Sequence, residues 1–318
     1  MIHETPGTVE APDGVVVGVD GSSSARHALA WATDEARVRL VGLLVIGVAP
    51  ASPDRVPGWC PEDADIRAAW QAVVDDAVAL AATRHPSVPV RGEVRWGAPA
   101  DELVAAGASG ALLVVGARGA GGFVGLLVGS VADRCLHRAR GPVAVVRPRA
   151  DGPARGESDG RVVVGIDGSE DTRNALRWAL DEARVRHSAL EAVIAWQYPP
   201  THAIVATSAL RFADAAEAAA RRAREDAARW APGVPFTVTV VDEAVVPALL
   251  DRSREAGLLV VGPHRQGGYR DLLLGSVAHQ CAHHATCPVV VVQGPDPAVT
   301  ASGGRTGSEQ ARAGTAAT

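Results

Sequence analysis

The sequence predicts an α/β protein made of two tandem doubly wound domains, each a five-stranded parallel sheet with helices on both faces, and three observations predict it. Short apolar runs alternate with segments whose apolar residues recur at helical spacing. The whole series is written twice. In each copy a late apolar run opens into a glycine-rich loop that leads to a further helix. The continuous apolar character of the runs suits strands buried on both faces, as in a parallel sheet.

Residues 1–13 are polar and carry Pro6 and Pro12, a composition of disordered lead-ins. Val15–Val19 reads as the first strand and ends at Asp20-Gly21-Ser22. A serine at 22, 23 or 24 caps the helix that follows, whose stripe runs through Ala28, Leu29, Trp31, Ala32 and Ala36. Gly42–Val48 is the second strand, Pro50–Pro61 a loop, and Asp63–Arg84 a long alanine-rich helix. Val88–Arg95 alternates as a third strand, and Pro99–Ala106 is a short helix opened by proline. Ala111–Val115 is the fourth strand, Val131–Arg140 the fourth helix, and Val143–Val146 the fifth strand.

The series restarts at Arg161. Val162-Val-Val-Gly-Ile-Asp167-Gly168-Ser169 repeats Val15-Val-Val-Gly-Val-Asp20-Gly21-Ser22, 147 residues on. Leu272-Leu-Leu-Gly275-Ser276-Val277 repeats Leu126-Leu-Val-Gly129-Ser130-Val131, 146 residues on. So small a net shift means a duplicated domain. The predicted domains are 13–147 and 161–293, with 148–160 a Gly/Pro-rich linker and 294–318 a disordered tail. Cys135 and Cys281 occupy equivalent positions, which favours packing over reactivity.

With 318 residues, 47% of them apolar, the chain can build two cores. A net charge of −5 without a basic face argues against nucleic acid. No apolar run reaches membrane-span length and no signal segment opens the chain, so a soluble cytoplasmic protein is expected. The four cysteines form no C-x-x-C pair. His264, His279, His283 and His284 lack the spacing of a zinc site with a glutamate base and read as solvated or partly packed. Trp31 and Trp178 lie on helical apolar stripes and read as core. No G-x-S-x-G elbow occurs.

The loop between Gly116 and Ser130 carries the functional reading. A strand, glycines and a helix start together form an anion site, because backbone N–H groups converge there with a partial positive charge. Walker A is excluded, since the chain contains no lysine. A Rossmann fingerprint is excluded too: the loop follows a late strand, and Val124 stands where the third glycine would be.

Gly116-x2-Gly119-x9-Gly129-Ser130 resembles the nucleotide-binding motif of the ATP-binding universal stress proteins. The resemblance covers both copies and matches tandem two-domain members from high-GC bacteria. It implies strand order 3-2-1-4-5, with a switch point between strands 1 and 4 where ligands sit. It further implies ATP, with Mg²⁺, as cofactor. Asp20 would face the adenine–ribose region or help hold the cation, Val48 would contact adenine, and Gly116 and Gly119 would leave room for ribose and phosphate. Gly129, Ser130 and Val131 would wrap phosphate, with Arg118 adding charge and Gly18, Gly121 and Gly122 completing the set.

In the second copy the counterparts are Gly165, Asp167, Trp196, Gly262, Gly275, Ser276 and Val277. There Arg265 replaces the second glycine, while Gly267 and Gly268 remain, so the arginine either fills the site or binds phosphate itself. Trp196 either stacks on a base or packs. Binding is expected intact in the first copy and altered in the second. Without a general base or Walker lysine the chain is not read as an enzyme, slow ATP hydrolysis aside. The alternative reading is a non-catalytic interaction scaffold with incidental nucleotide. Family members often pair through the fifth strand, so the resemblance implies internal pairing of the two domains, or a homodimer, through Val143–Val146 and Pro288–Val292.

Overall fold

Branched aliphatic residues side by side favour extended backbone and pack well on a pleated surface. In the computed structural model such runs become strands, and those at the centre of the sheet are almost wholly buried. The structure describes residues 14–50, 61–108, 111–119, 128–148, 160–196, 206–263 and 274–293. The first copy runs β1 (Val15–Val19), α1 (Ser23–Arg39), β2 (Leu43–Ala49), α2 (Pro61–Arg84), β3 (Val90–Trp96), α3 (Pro99–Ala106), β4 (Leu112–Gly116), α4 (Ser130–Arg138), β5 (Val143–Val146). The second runs β6 (Val162–Gly165), α5 (Glu170–Val185), β7 (Leu190–Trp196), α6 (Ala206–Trp230), β8 (Phe236–Asp242), α7 (Val245–Ser253), β9 (Leu258–Val261), α8 (Ser276–His284), β10 (Val289–Val291).

Small shifts from the sequence reading have local causes. The third strand starts at Val90 because the Val88 N–H bonds the His85 carbonyl in a turn, and Pro89 follows. Helix α1 is capped by Ser22, whose side chain accepts from the Ala25 N–H, and the preceding turn is held by Gly21 at φ 78°.

The strand order is β3-β2-β1-β4-β5-β10-β9-β6-β7-β8. Each copy is parallel throughout, and in both the first strand lies between the second and the fourth. The two five-stranded sheets join edge to edge into one ten-stranded sheet. They meet along an antiparallel ladder, Val143↔Val291 to Val145↔Val289. An apolar edge such as Val143–Val146, buried at all four positions, would otherwise present unpaired backbone. Helices α1, α2, α5 and α6 cover one face, and α3, α4, α7 and α8 the other. Each face has a single apolar core that runs through both copies.

On the first face, α1 and α5 meet through charge. Glu35 and Glu182, each 1% exposed, lie between Arg39 and Arg186. Every arginine pairs with both carboxylates: Arg39 with Glu35 at 3.3 Å and with Glu182, Arg186 with Glu35 and Glu182. Arg39 also sits over Trp178 at 5.1 Å and Arg186 over Trp31 at 5.7 Å, so each indole is covered by the other copy's guanidinium. Neither tryptophan is the simple core residue that its helical stripe suggests. Both are only partly buried.

On the other face the ties are again reciprocal. Beyond β5, Arg147 donates to the Ala282 carbonyl on α8 at 2.6 Å, and beyond β10 Gln293 donates to the Leu136 carbonyl on α4 at 2.9 Å. Cys135, Cys281 and Cys287 are buried free thiols in this core. Burial pushes Cys135 and Cys281 up to about 12, which leaves them protonated and unreactive.

Within the second copy Arg173 grips Asp226 with two hydrogen bonds, 2.8 and 3.0 Å, above the Trp230 ring. The Arg173 hydrogen bond holds the Asp226 carboxyl below its ordinary range. A depressed folded-state value means stability that is present above the unfolded value and lost as pH falls below about 4. Asp226→Asn is therefore expected to be less stable at neutral pH and to show a flatter acid limb in pH-dependent thermal unfolding. Parallel profiles for parent and variant would show the pair to be inert.

Candidate functional site

Asp20 leaves the carboxyl end of β1 and residues 117–119 leave that of β4, the two adjacent strands from which the crossovers depart in opposite directions. Asp20 Oδ1 accepts the Ser22 N–H at 3.0 Å, which locks the carboxylate over the start of α1. Gly119 lies directly against the other oxygen: a Cβ there would stand 2.8 Å from Asp20 Oδ2. So the carboxylate and the start of the glycine loop, a hundred residues apart in the chain, touch.

The base of the loop is pinched. The Gly129 N–H donates to the Ala117 carbonyl at 2.7 Å, and in the second copy Gly275 donates to Pro263 at 3.0 Å. The N–H groups of Gly129 and Gly275, expected to wrap phosphate, here close the loop. Ser130 and Val131, and their counterparts Ser276 and Val277, form the first turns of α4 and α8, where the helical ladder leaves N–H groups directed outward. No side chain caps either start.

Several expected ligand positions have packing reasons instead. A Cβ at Gly116 would lie 2.8 Å from the Ser24 carbonyl carbon, so this glycine admits the start of helix α1. At Gly18 and Gly165 the missing Cβ is replaced by Leu103 and Leu249, at 2.8 and 2.9 Å. Val48 is buried among the α3 and α4 residues. Trp196 is not its counterpart. The registers Val15↔Leu43 and Val162↔Leu190 make Ala195 the partner of Val48, and Trp196 packs on the opposite face. A one-residue slip along a strand changes the face.

Arg118 is exposed and its backbone N–H donates to Ser24 Oγ at 3.1 Å. Ser24, 5% exposed, is the site residue that the sequence did not single out, hidden in a run of three serines. Arg147, at the end of the neighbouring strand, is lowered to about 10 by burial and then by the charge of Arg118. Two guanidinium groups thus lie on this side of the loop.

The second copy differs where it matters. Thr172 stands where the first copy has Ala25, and its hydroxyl donates to Asp167 Oδ1 at 2.7 Å while Ser169 N–H donates to the same oxygen at 2.9 Å. Gly262 is less crowded than Gly116, with Asp171 O 3.3 Å from the position of a Cβ. Gly121, Gly122, Arg265, Gly267 and Gly268 lie outside the described residues.

A cleft of ≈ 310 Å³ opens between α1 and α2, lined by Val19, Gly21, Ser22, Leu29, Asp76 and Leu80. It shares the Gly21 turn but includes neither Asp20 nor the loop, so it adjoins the candidate site without being part of it. Among the described residues no helix is long and apolar enough to cross a membrane.

The chain is a duplicated doubly wound α/β sheet in which a carboxylate and the start of a glycine loop lie together at the switch point of the first copy. The profile described as the Universal stress protein family matches residues 13–147 and again 160–293, and the chain belongs to that family. Universal stress protein Rv1996 of Mycobacterium tuberculosis is 32% identical over 311 residues, covering 91% of this chain and 98% of that protein. Rv2005c of the same organism is 33% identical over 292 residues, 88% and 97% of the two chains. In fold, a crystal structure of a universal stress protein from Archaeoglobus fulgidus DSM 4304 superposes with a TM-score of 0.65 at 18% identity, covering 89% of this chain and 99% of that one.

Proposed function

We propose that the chain is a regulatory protein that binds an adenine nucleotide, ATP with Mg²⁺, in its first copy, and that the second copy binds it weakly or not at all. The observation that carries this reading is the contact of Gly119 with Asp20 at the switch point, where a side chain of any size on residue 119 would strike the carboxylate. Asp20 would hold the cation or the ribose. Ser130 and Val131 would present the α4 start to phosphate, and Arg118 would balance its charge. Asp167 is tied to the Thr172 hydroxyl, which supports a poorer site in the second copy. The role proposed is binding, with slow ATP hydrolysis as the minor alternative.

The test is calorimetric titration of the full chain with ATP and Mg²⁺, together with mass analysis of small molecules released from the purified protein. One site is expected, and Asp20→Ala should weaken it about tenfold or more, the value of one lost charge-assisted contact. A chain that carries no adenylate and takes up none at millimolar ATP would favour the scaffold reading.

A further inference from the structure

Helices α4 and α8 lie side by side at the seam, and related residues of the two copies converge there. Asp133 is the counterpart of His279, and His137 that of His283. His279 and His283 are four residues apart on α8 and so share a face, with ring centroids 4.2 Å apart. Asp133 reaches them from α4: its Oδ1 is 3.6 Å from His279 Nδ1. One ligand atom from each of Asp133, His279 and His283 lies within 4.8 Å of the other two.

We propose that Asp133, His279 and His283 form a binding site for a divalent transition metal of the zinc type, built across the seam from one helix of each copy. Two imidazoles and a carboxylate are a donor set that suits such an ion and leaves a fourth position for water. Donors around a tetrahedral ion with bonds of roughly 2.0–2.1 Å stand about 3.4 Å apart, so the Asp133–His279 spacing needs almost no adjustment. Asp133 Oδ1 also stands 3.7 Å from His137 Nδ1, beyond hydrogen-bond reach. Asp133 Oδ1 and His283 Nε2 are sealed from solvent with no hydrogen-bond partner among the described residues. Such atoms are costly unless something fills them.

His137 is not a donor in this set. Its Nδ1–H is taken by the Asp133 carbonyl at 2.7 Å. Neither Cys135 nor Cys281 belongs to the set. The ion would bridge α4 to α8, beside the Arg147–Ala282 and Gln293–Leu136 ties.

The full-length chain, stripped with EDTA and dialysed into phosphate-free buffer, is titrated with zinc chloride by calorimetry, and bound zinc is counted by elemental analysis. About one zinc per chain is expected, and Asp133→Asn, His279→Asn and His283→Asn should each weaken binding tenfold or more. His284→Asn, exposed on the same helix outside the cluster, should bind as the parent does. Circular dichroism selects the variants that fold, and with three of them the loss of one leaves the comparison intact. Parent and ligand variants that bind zinc equally, or a parent that retains none at micromolar zinc, would overturn the site. So would uptake abolished by Asp20→Asn and untouched by Asp133→Asn, which would place the ion at the nucleotide pocket.

Discussion

Glu182→Ala is expected to destabilise the protein by about 3–5 kcal/mol, the cost of removing one partner from a buried ion pair. The Glu182 side chain has no solvent exposure, and it faces Arg39 and Arg186 together. Its removal leaves Arg186, itself 10% exposed at the side chain, with Glu35 alone. Burial pushes the Glu182 carboxyl up, and the charge of Arg39 offsets part of that. The loss should appear in urea unfolding as a lower midpoint. The arrangement is self-contained, so replacing all four members (Glu35→Leu, Arg39→Met, Glu182→Leu, Arg186→Met) should recover most of it. A loss below about 1 kcal/mol for Glu182→Ala would mean that the pairs contribute no more than surface ones.

The second large effect separates two glycines three residues apart. Gly116→Ala drives a methyl into the Ser24 backbone, 2.8 Å from its carbonyl carbon and 2.9 Å from its oxygen. Backbone cannot swing aside as a side chain can, so strand β4 and helix α1 must separate, at a cost of about 2–3 kcal/mol. Among the described residues, Gly119→Ala meets the Asp20 carboxylate, also at 2.8 Å. There the carboxylate moves and the sheet does not. The expected result is an unchanged unfolding curve with ATP affinity reduced about tenfold or more. Thermal unfolding and ATP calorimetry on the two variants decide it. If Gly119→Ala binds ATP as the parent does, the nucleotide does not use the Asp20–Gly119 contact.

The elements and the duplication were legible because they rest on local signals, while the strand order within each copy was implied by the resemblance. Valine runs, a serine cap at 22, proline at 99 and a repeat of 146–147 residues need no knowledge of distant contacts. Asp20 and the glycine loop were found in the same way, since both lie at strand ends. The individual glycines were not separable. Gly18, Gly116 and Gly165 belong to the same pattern as Gly119, yet Leu103, Ser24 and Leu249 occupy the space they leave. Trp196 was misjudged by one position, which in a strand is the difference between faces.

Chain order by itself determined what kind of fold this is and that it is written twice, because helix and strand periodicity are properties of neighbours in sequence. Only the tertiary structure decided what happens at the seam. The charge ring of Glu35, Arg39, Glu182 and Arg186, and the gathering of Asp133 with His279 and His283, each join residues about 146 positions apart. Each half of these groups reads alone as an ordinary solvated helix face, and the pairing of β5 with β10 is what brings the halves together.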